Sequence, residues 1–227
     1  MRKLALALLV LVALAGLGAG WVRLTQPDLA ALPPLRNGDI VFQSARSDQA
    51  LAILLATRSL YTHAGIVAVA PDGAVSVIQA GQVVVKTPLA DWIRQSYGER
   101  LTIMRFPGLS PAAGAQVVAA AEALEGRPYD YFFRLSQDEI YCSSLVYDAF
   151  LNGPHIQLGH LQPIGSLGLD NFAVRKIIRA RWQFDPDCRA QGAKDFAACY
   201  AIIQRRLIIT PVSLARDARL VTLYNNY

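Results

Sequence analysis

Two β-rich runs, residues 63–70 and 74–80, flank Pro71-Asp72-Gly73, and this is the arrangement that most restricts what the chain can become. Proline, aspartate and glycine in a row supply the fixed φ, the side-chain bond to the following backbone and the left-handed position that a tight turn needs. The two runs therefore read as an antiparallel hairpin. His63 opens its first strand. Val75, Val77 and Gln79 share one face of the second by period two, and Gln79 is the one strongly polar side chain in an apolar stretch.

Around the hairpin the chain alternates short strands with helices. Arg36-Asn37-Gly38-Asp39 reads as a turn into a strand at 40–43, with Asp39 serving the turn. Ser47 is placed to cap a helix over 48–58 with Leu51, Leu54 and Leu55 on one face. Residues 83–86 extend the sheet, Pro88 begins a helix through Tyr97, and 101–106 form another strand. Ser110-Pro111 opens a long alanine-rich helix ending near Gly126. Past Gly153 the pattern weakens, with late β-like runs at 206–210 and 220–223. The reading is a single α+β domain over residues 35–227 after a linker at 25–34.

Ile140-Tyr141-Cys142-Ser143-Ser144-Leu145-Val146-Tyr147 places a cysteine at the start of an apolar helical run. A helix N-terminus carries about half a positive charge, which favours a thiolate, and its unpaired N–H groups suit a developing oxyanion. A thiolate nucleophile needs a base, and the base needs an orienting group on its other ring nitrogen. Of the three histidines, His63 sits on a strand, where backbone pairing holds it, whereas His155 and His160 fall in a loop. The bland alternatives are a buried core cysteine and, for Gln79, an edge residue facing water.

The N-terminus bears on the compartment. Arg2-Lys3 precede an uncharged apolar run from Leu4 to Val22, so residues 1–24 read as a signal peptide or an N-terminal membrane anchor. Either way the body is exported and faces the periplasm, with membrane attachment through this segment. In an oxidising compartment three cysteines leave one over. Cys188 and Cys199, eleven apart in a polar, loop-like stretch, are the natural pair, and Cys142 is then the odd thiol.

The net charge of +5 is concentrated late: residues 171–227 hold ten Lys/Arg against four Asp/Glu. Arg175, Lys176, Arg179 and Arg181 could face anionic lipid headgroups or wall polymers, or form a solvated face. No nucleic-acid motif accompanies them. His155 and His160 lack cysteine or carboxylate company at zinc spacing, and no phosphate or dinucleotide loop is present, so neither a metal nor a cofactor is expected.

Several blocks in order then resemble a known family. They are residues 36–43, Ala56-Thr57-Arg58-Ser59, Tyr61-Thr62-His63-Ala64-Gly65-Ile66-Val67, Val77-Ile78-Gln79-Ala80, residues 87–93, Tyr129-Asp130-Tyr131-Phe132-Phe133 and Tyr141-Cys142-Ser143-Ser144-Leu145-Val146. Over about residues 35–152 the chain resembles the permuted papain-like amidases, the YiiX/YebB-like branch of the NlpC-type cysteine peptidases. The resemblance implies a circularly permuted papain-like fold, with an antiparallel sheet packed against the Cys-bearing helix. It implies Cys142 as nucleophile, His63 as general base and Gln79 as the third residue, where relatives often carry glutamate. Tyr61 and Tyr141 flank the pair as candidate substrate contacts. The implied reaction is amide hydrolysis, with cell-wall peptide as the natural substrate of an exported enzyme. Two alternatives stand beside it. One is a lipid acyl hydrolase or acyltransferase, which an apolar tunnel to Cys142 would favour over an open polar groove. The other is a non-catalytic wall- or lipid-binding module.

Overall fold

A computed structural model describes residues 27–47 and 49–227, so the leader segment 1–24 lies outside the described residues. Among the described residues no helix is long and apolar enough to cross a membrane. In chain order the elements are β1 (Ile40–Gln43), α1 (Ala50–Thr57), β2 (His63–Val69), β3 (Val75–Ala80), β4 (Val84–Pro88), α2 (Leu89–Arg94), β5 (Thr102–Arg105), α3 (Pro111–Glu122) and α4 (Cys142–Asn152). There follow β6 (Gln162–Pro163), α5 (Phe172–Arg181), α6 (Pro186–Ala190), α7 (Phe196–Arg205), β7 (Leu207–Ile208), α8 (Pro211–Ala215) and β8 (Val221–Asn225).

The principal sheet has the order β4-β3-β2-β1-β5-β8, and each neighbouring pair is antiparallel. The hairpin forms as the turn residues require, with Val69 opposite Val75 and Gly73 at φ +88. Successive side chains on β1 and β2 point to opposite faces, and both faces are covered. Ile40, Phe42, Ala64, Ile66 and Ala68 pack on one side with Leu145, Val146, Ala149 and Phe150 of α4. Val41 and Val67 pack on the other with Leu89, Trp92 and Ile93 of α2. A helix that is almost wholly buried from Cys142 to Phe150 cannot shift relative to the sheet without opening voids, and this fixes its first residue in place.

Asp39 does more than serve the turn. Its carboxylate accepts the Arg36 amide at 2.8 Å and takes a bidentate pair from Arg105 at 2.7 Å for both Nε and Nη2. The ion pair ties the start of β1 to β5 where Asp39 is buried.

Several element boundaries differ from the sequence reading. Ser47 does not cap α1; its carbonyl accepts the Ala50 amide at 3.0 Å, and the helix begins at Ala50 after Gln49, which makes no side-chain cap. Arg58 ends α1 in the left-handed conformation, φ 53, so the helix stops one residue short of the expected range. Pro88 closes β4 and caps α2 instead of opening it, and α2 ends at Arg94. The Ser110 cap holds, with its hydroxyl accepting from Ala113 at 3.1 Å, but α3 ends at Glu122.

The largest departure lies beyond Gly153. The stretch holding Cys188 and Cys199 is helical, not loop-like: Cys188 lies on α6, capped by Asp185, and Cys199 on α7, capped by Asp195. The two cysteines are joined by a disulfide with Cα atoms 5.1 Å apart, and it staples two helices that each have barely enough length to hold together alone. Beside it, Arg206 is gripped by Asp185 (2.7 and 2.9 Å) and Asp187 (2.8 Å) and donates to the Phe132 carbonyl at 2.6 Å. Replacing both cysteines by serine is expected to lower stability by about 2–3 kcal/mol, read as a reduced denaturant midpoint at unchanged slope. An unchanged midpoint would show that the ion-paired Arg206 cluster alone holds these helices.

Candidate active site

Cys142 is the first residue of α4. Tyr141 before it is extended, and the Ser144 hydroxyl both accepts from the Tyr141 amide (3.1 Å) and donates to the Tyr141 carbonyl (2.9 Å). Ser143 Oγ donates to the Ile209 carbonyl at 3.0 Å, and the Tyr141 hydroxyl accepts from the Ile209 amide at 3.2 Å. The helix start is thus tied to the segment leading into α8 from both sides. No acidic residue occupies the first turn, so the positive end of the helix acts on the thiol uncompensated. The Cys142 amide is among those a helix leaves without an intrahelical partner.

His63 begins β2, directly opposite Gln43 of β1. Its Nε2 lies 2.7 Å from Gln79 Oε1, which leaves Nδ1 for the cysteine. Gln79 is 4 % exposed, so the reading of it as an edge residue facing water does not hold. Its amide nitrogen donates to Thr87 Oγ1 (3.0 Å) and Gln95 Oε1 (3.2 Å), which forces the oxygen toward the imidazole and makes His63 the donor. Trp92 stacks beside the ring at 6.1 Å between centroids. Gly65, between His63 and the hairpin, lets the strands close: a Cβ there would come within 2.4 Å of Val77 Cγ1.

The pair is electrostatically coupled. Burial alone pushes the Cys142 thiol up, but the hydrogen bond and charge of His63 and the Ala64 amide outweigh it and hold the thiol below its ordinary range. Burial pushes His63 down, yet the hydrogen bond and charge of Cys142 and the bond from Gln79 leave it raised. Both shifts favour thiolate and imidazolium together. Such a pair is a preformed nucleophile with its proton donor in place.

The geometry also assigns residues for which the sequence offered no role at the site. Tyr129 stands beside Cys142: burial, and then the charge on the thiolate, push its phenol well above the ordinary range. Buried Asp130 positions the loop by accepting the amides of Phe132 and Arg134. Tyr129 stood in a recognised sequence block, but its reach to Cys142 depends on this loop and had no periodic signal. Gln43, 1 % exposed beside His63, has both amide atoms without a partner among the described residues. Tyr141 lines the cavity next to Cys142. Tyr61 is placed elsewhere: it packs on Phe42 and Tyr227 and bonds Thr102 at 3.0 Å.

A cavity of about 130 Å³ opens from Cys142. Its walls are mostly apolar, with Ile53 of α1, Val174, Ile177 and Ile178 of α5, Phe133 and Ile209 among them. Arg206 and Asp185 reach it, but each is already paired with the other. The helix α5 therefore turns its apolar face to the cavity. Arg179 lies outside it, over the Phe196 ring at 4.6 Å, whereas Arg181, over Tyr131 at 5.3 Å, lines the cavity together with that ring.

Residues 34–224 match the family described as permuted papain-like amidase enzyme, YaeF/YiiX, C92. The chain belongs to this family. It is a cysteine amidase or peptidase of papain-like type, with mixed helices and an antiparallel sheet. It is similar to the uncharacterized protein YiiX of Escherichia coli K12, 31 % identical over 148 residues, which cover 65 % of this chain and 73 % of YiiX. Its fold is similar to a crystal structure of YiiX from Escherichia coli O157:H7, with a TM-score of 0.74 and 28 % identity over 85 % of this chain and 98 % of the other. That YiiX is described as a metalloprotein. Among the described residues of this chain, no three or more His, Cys, Asp or Glu come together in a group that could hold a metal ion.

The lowered thiol predicts that alkylation of Cys142 by iodoacetamide keeps a pH inflection below the ordinary thiol value of about 8.5. In His63→Ala the opposing burial remains, and the inflection should move above that value. Identical inflections in the two proteins would show that His63 does not set the charge state of the thiol.

Proposed function

We propose that the protein hydrolyses the amide bond of an N-acylated substrate whose apolar acyl chain occupies the cavity beside Cys142. The observation that carries this reading is the apolar wall leading to the sulfur. A wall peptide, dense in amide and carboxylate groups, would leave its polar atoms unpaired there. A hydrocarbon chain loses nothing and gains roughly 0.8 kcal/mol per CH₂ buried.

The chemistry follows from the pair. The Cys142 thiolate attacks the acyl carbonyl carbon, forming the C–S bond and moving the carbonyl electron pair onto oxygen. The Cys142 amide at the helix start stabilises that oxyanion. The imidazolium of His63 gives its proton to the amide nitrogen, the C–N bond breaks and the amine leaves. His63, now neutral, takes a proton from water, whose oxygen attacks the thioester. The acid departs and the thiolate returns. Gln79 keeps the ring oriented through both halves. As a neutral amide it stabilises the imidazolium less than a carboxylate in its place.

The compartment is part of the proposal. The basic start and apolar run of residues 1–24 support export with the body in the periplasm, attached or released. The Cys188–Cys199 disulfide supports an oxidising environment.

Hydrolysis of N-acyl amides of increasing chain length tests the reading. Four extra methylenes that fit the cavity should raise kcat/KM roughly two hundredfold, from about 0.8 kcal/mol each. Ile178→Trp should remove the gain for long chains while sparing N-acetyl substrates. A rate independent of chain length, with ready cleavage of wall peptides, would return the substrate to the wall.

A further inference from the structure

A second cavity, of about 430 Å³, adjoins the first and shares Ala56, Thr57, Leu167 and Thr210 with it. Its character is opposite. Arg58, Arg216 and His160 stand around it together with hydroxyl and amide side chains, and no carboxylate lines it. Neither Arg58 nor Arg216 has a salt-bridge partner among the described residues, whereas the nearby Asp217 is taken by Arg219 and the Gly159 amide. His160 is fixed through its backbone amide to Ser213 Oγ at 3.0 Å, and its Nδ1 lies 3.3 Å from the same hydroxyl, so the other ring nitrogen is not engaged by it.

Both walls of this cavity run straight to the reacting groups. Arg58, held in the left-handed conformation at the end of α1, lies five residues before His63 on the loop that enters β2. Thr210 follows Ile209, whose carbonyl anchors Ser143 next to the nucleophile. One wall thus comes from the side that carries the proton donor for the leaving amine. Two guanidinium groups lining one open polar cavity, with no carboxylate among the described residues that line it, suit a planar or tetrahedral anion.

We propose that this cavity is a subsite for an anionic group, carboxylate or phosphate, carried on the amine half of the substrate. The inference rests on the acyl-amide reading and sharpens it: the substrate is an amphiphile with an apolar acyl chain and an anionic head. Arg58 and Arg216 bind the head, and the chain fills the apolar cavity from Cys142 inward. The amide between them is then held across the nucleophile from both ends, which is how binding energy remote from the bond positions it.

The test uses three ligands with one amide and one chain: N-hexanoyl-β-alanine, N-hexanoyl-aminoethyl phosphate and the neutral N-hexanoyl-ethanolamine. Their dissociation constants are measured by calorimetry on the Cys142→Ala protein, so the result does not depend on turnover. At least one anionic ligand should bind roughly tenfold or more tighter than the neutral one, and the tighter of the two identifies carboxylate or phosphate as the head. Arg58→Gln/Arg216→Gln, both exposed positions, should erase that preference and leave ethanolamide binding unchanged. Equal affinities for all three, a preference that survives the double substitution, or no binding of any would overturn the proposal. N-acetyl counterparts separate the two readings. Charge preference without chain-length dependence removes the acyl cavity from the account, and chain-length dependence without charge preference removes the anion subsite.

Discussion

The bond from His63 Nε2 to Gln79 Oε1, 2.7 Å across two neighbouring strands, is the contact on which the rest of the site depends. It fixes which ring nitrogen is left for Cys142. It does so without a charge, because Thr87 and Gln95 take the amide hydrogens of Gln79 and leave its oxygen pointing one way. The hairpin makes this geometry possible, and Gly65 allows the strands to approach where a side chain would collide with Val77. On the opposite side α4 is buried along nearly its whole length, so the sulfur is held as rigidly as the ring. Two rigid elements meeting at their ends, not a flexible loop, bring thiol and imidazole together, and the coupling of their protonation follows from that closeness in a buried place.

Much of the first half of this architecture is legible in the chain itself. Pro71-Asp72-Gly73 determines the hairpin, period two puts Gln79 on the same face as Val77, and the apolar residues after Cys142 define a buried helix. Single turns and caps are less so. Ser47 has the right chemistry for a cap but spends its backbone carbonyl on Ala50, and α1 begins later. Arg58 ends the helix in a conformation that arginine does not advertise. The region after Gly153 was opaque for a different reason. Its helices α6 and α7 are short, carry cysteines in place of a clear apolar stripe, and are held by a disulfide and a buried Arg206 cluster whose members are far apart in sequence. Asp185-Pro186 and Asp195 were the available start signals. Tyr129 and Gln43 escaped notice because their role at the site comes from loop placement and strand register, neither of which has a period.

The late, basic part of the chain acquires a physical purpose in this structure. Helix α5 presents Val174, Ile177 and Ile178 to the cavity beside Cys142, with Arg181 over Tyr131 at its edge and Arg179 over Phe196 outside. The polar cavity beside it is framed by the end of α1, residues 160–168 and α8. In the proposed reading Cys142 and His63 supply the reacting pair, while α1, α5 and the segment leading into α8 supply the walls that choose a substrate.

In the proposed reaction Cys142 carries the acyl group through a thioester with the chain lodged in the apolar cavity. Intact-mass and peptide-mapping measurements on the protein, quenched in acid shortly after mixing with an activated hexanoyl ester, test it directly. A single hexanoyl group is expected, located on Cys142, absent from Cys142→Ala and accumulating far more slowly in His63→Ala. A protein that stays unmodified, or one that is acylated equally well without Cys142, would contradict it.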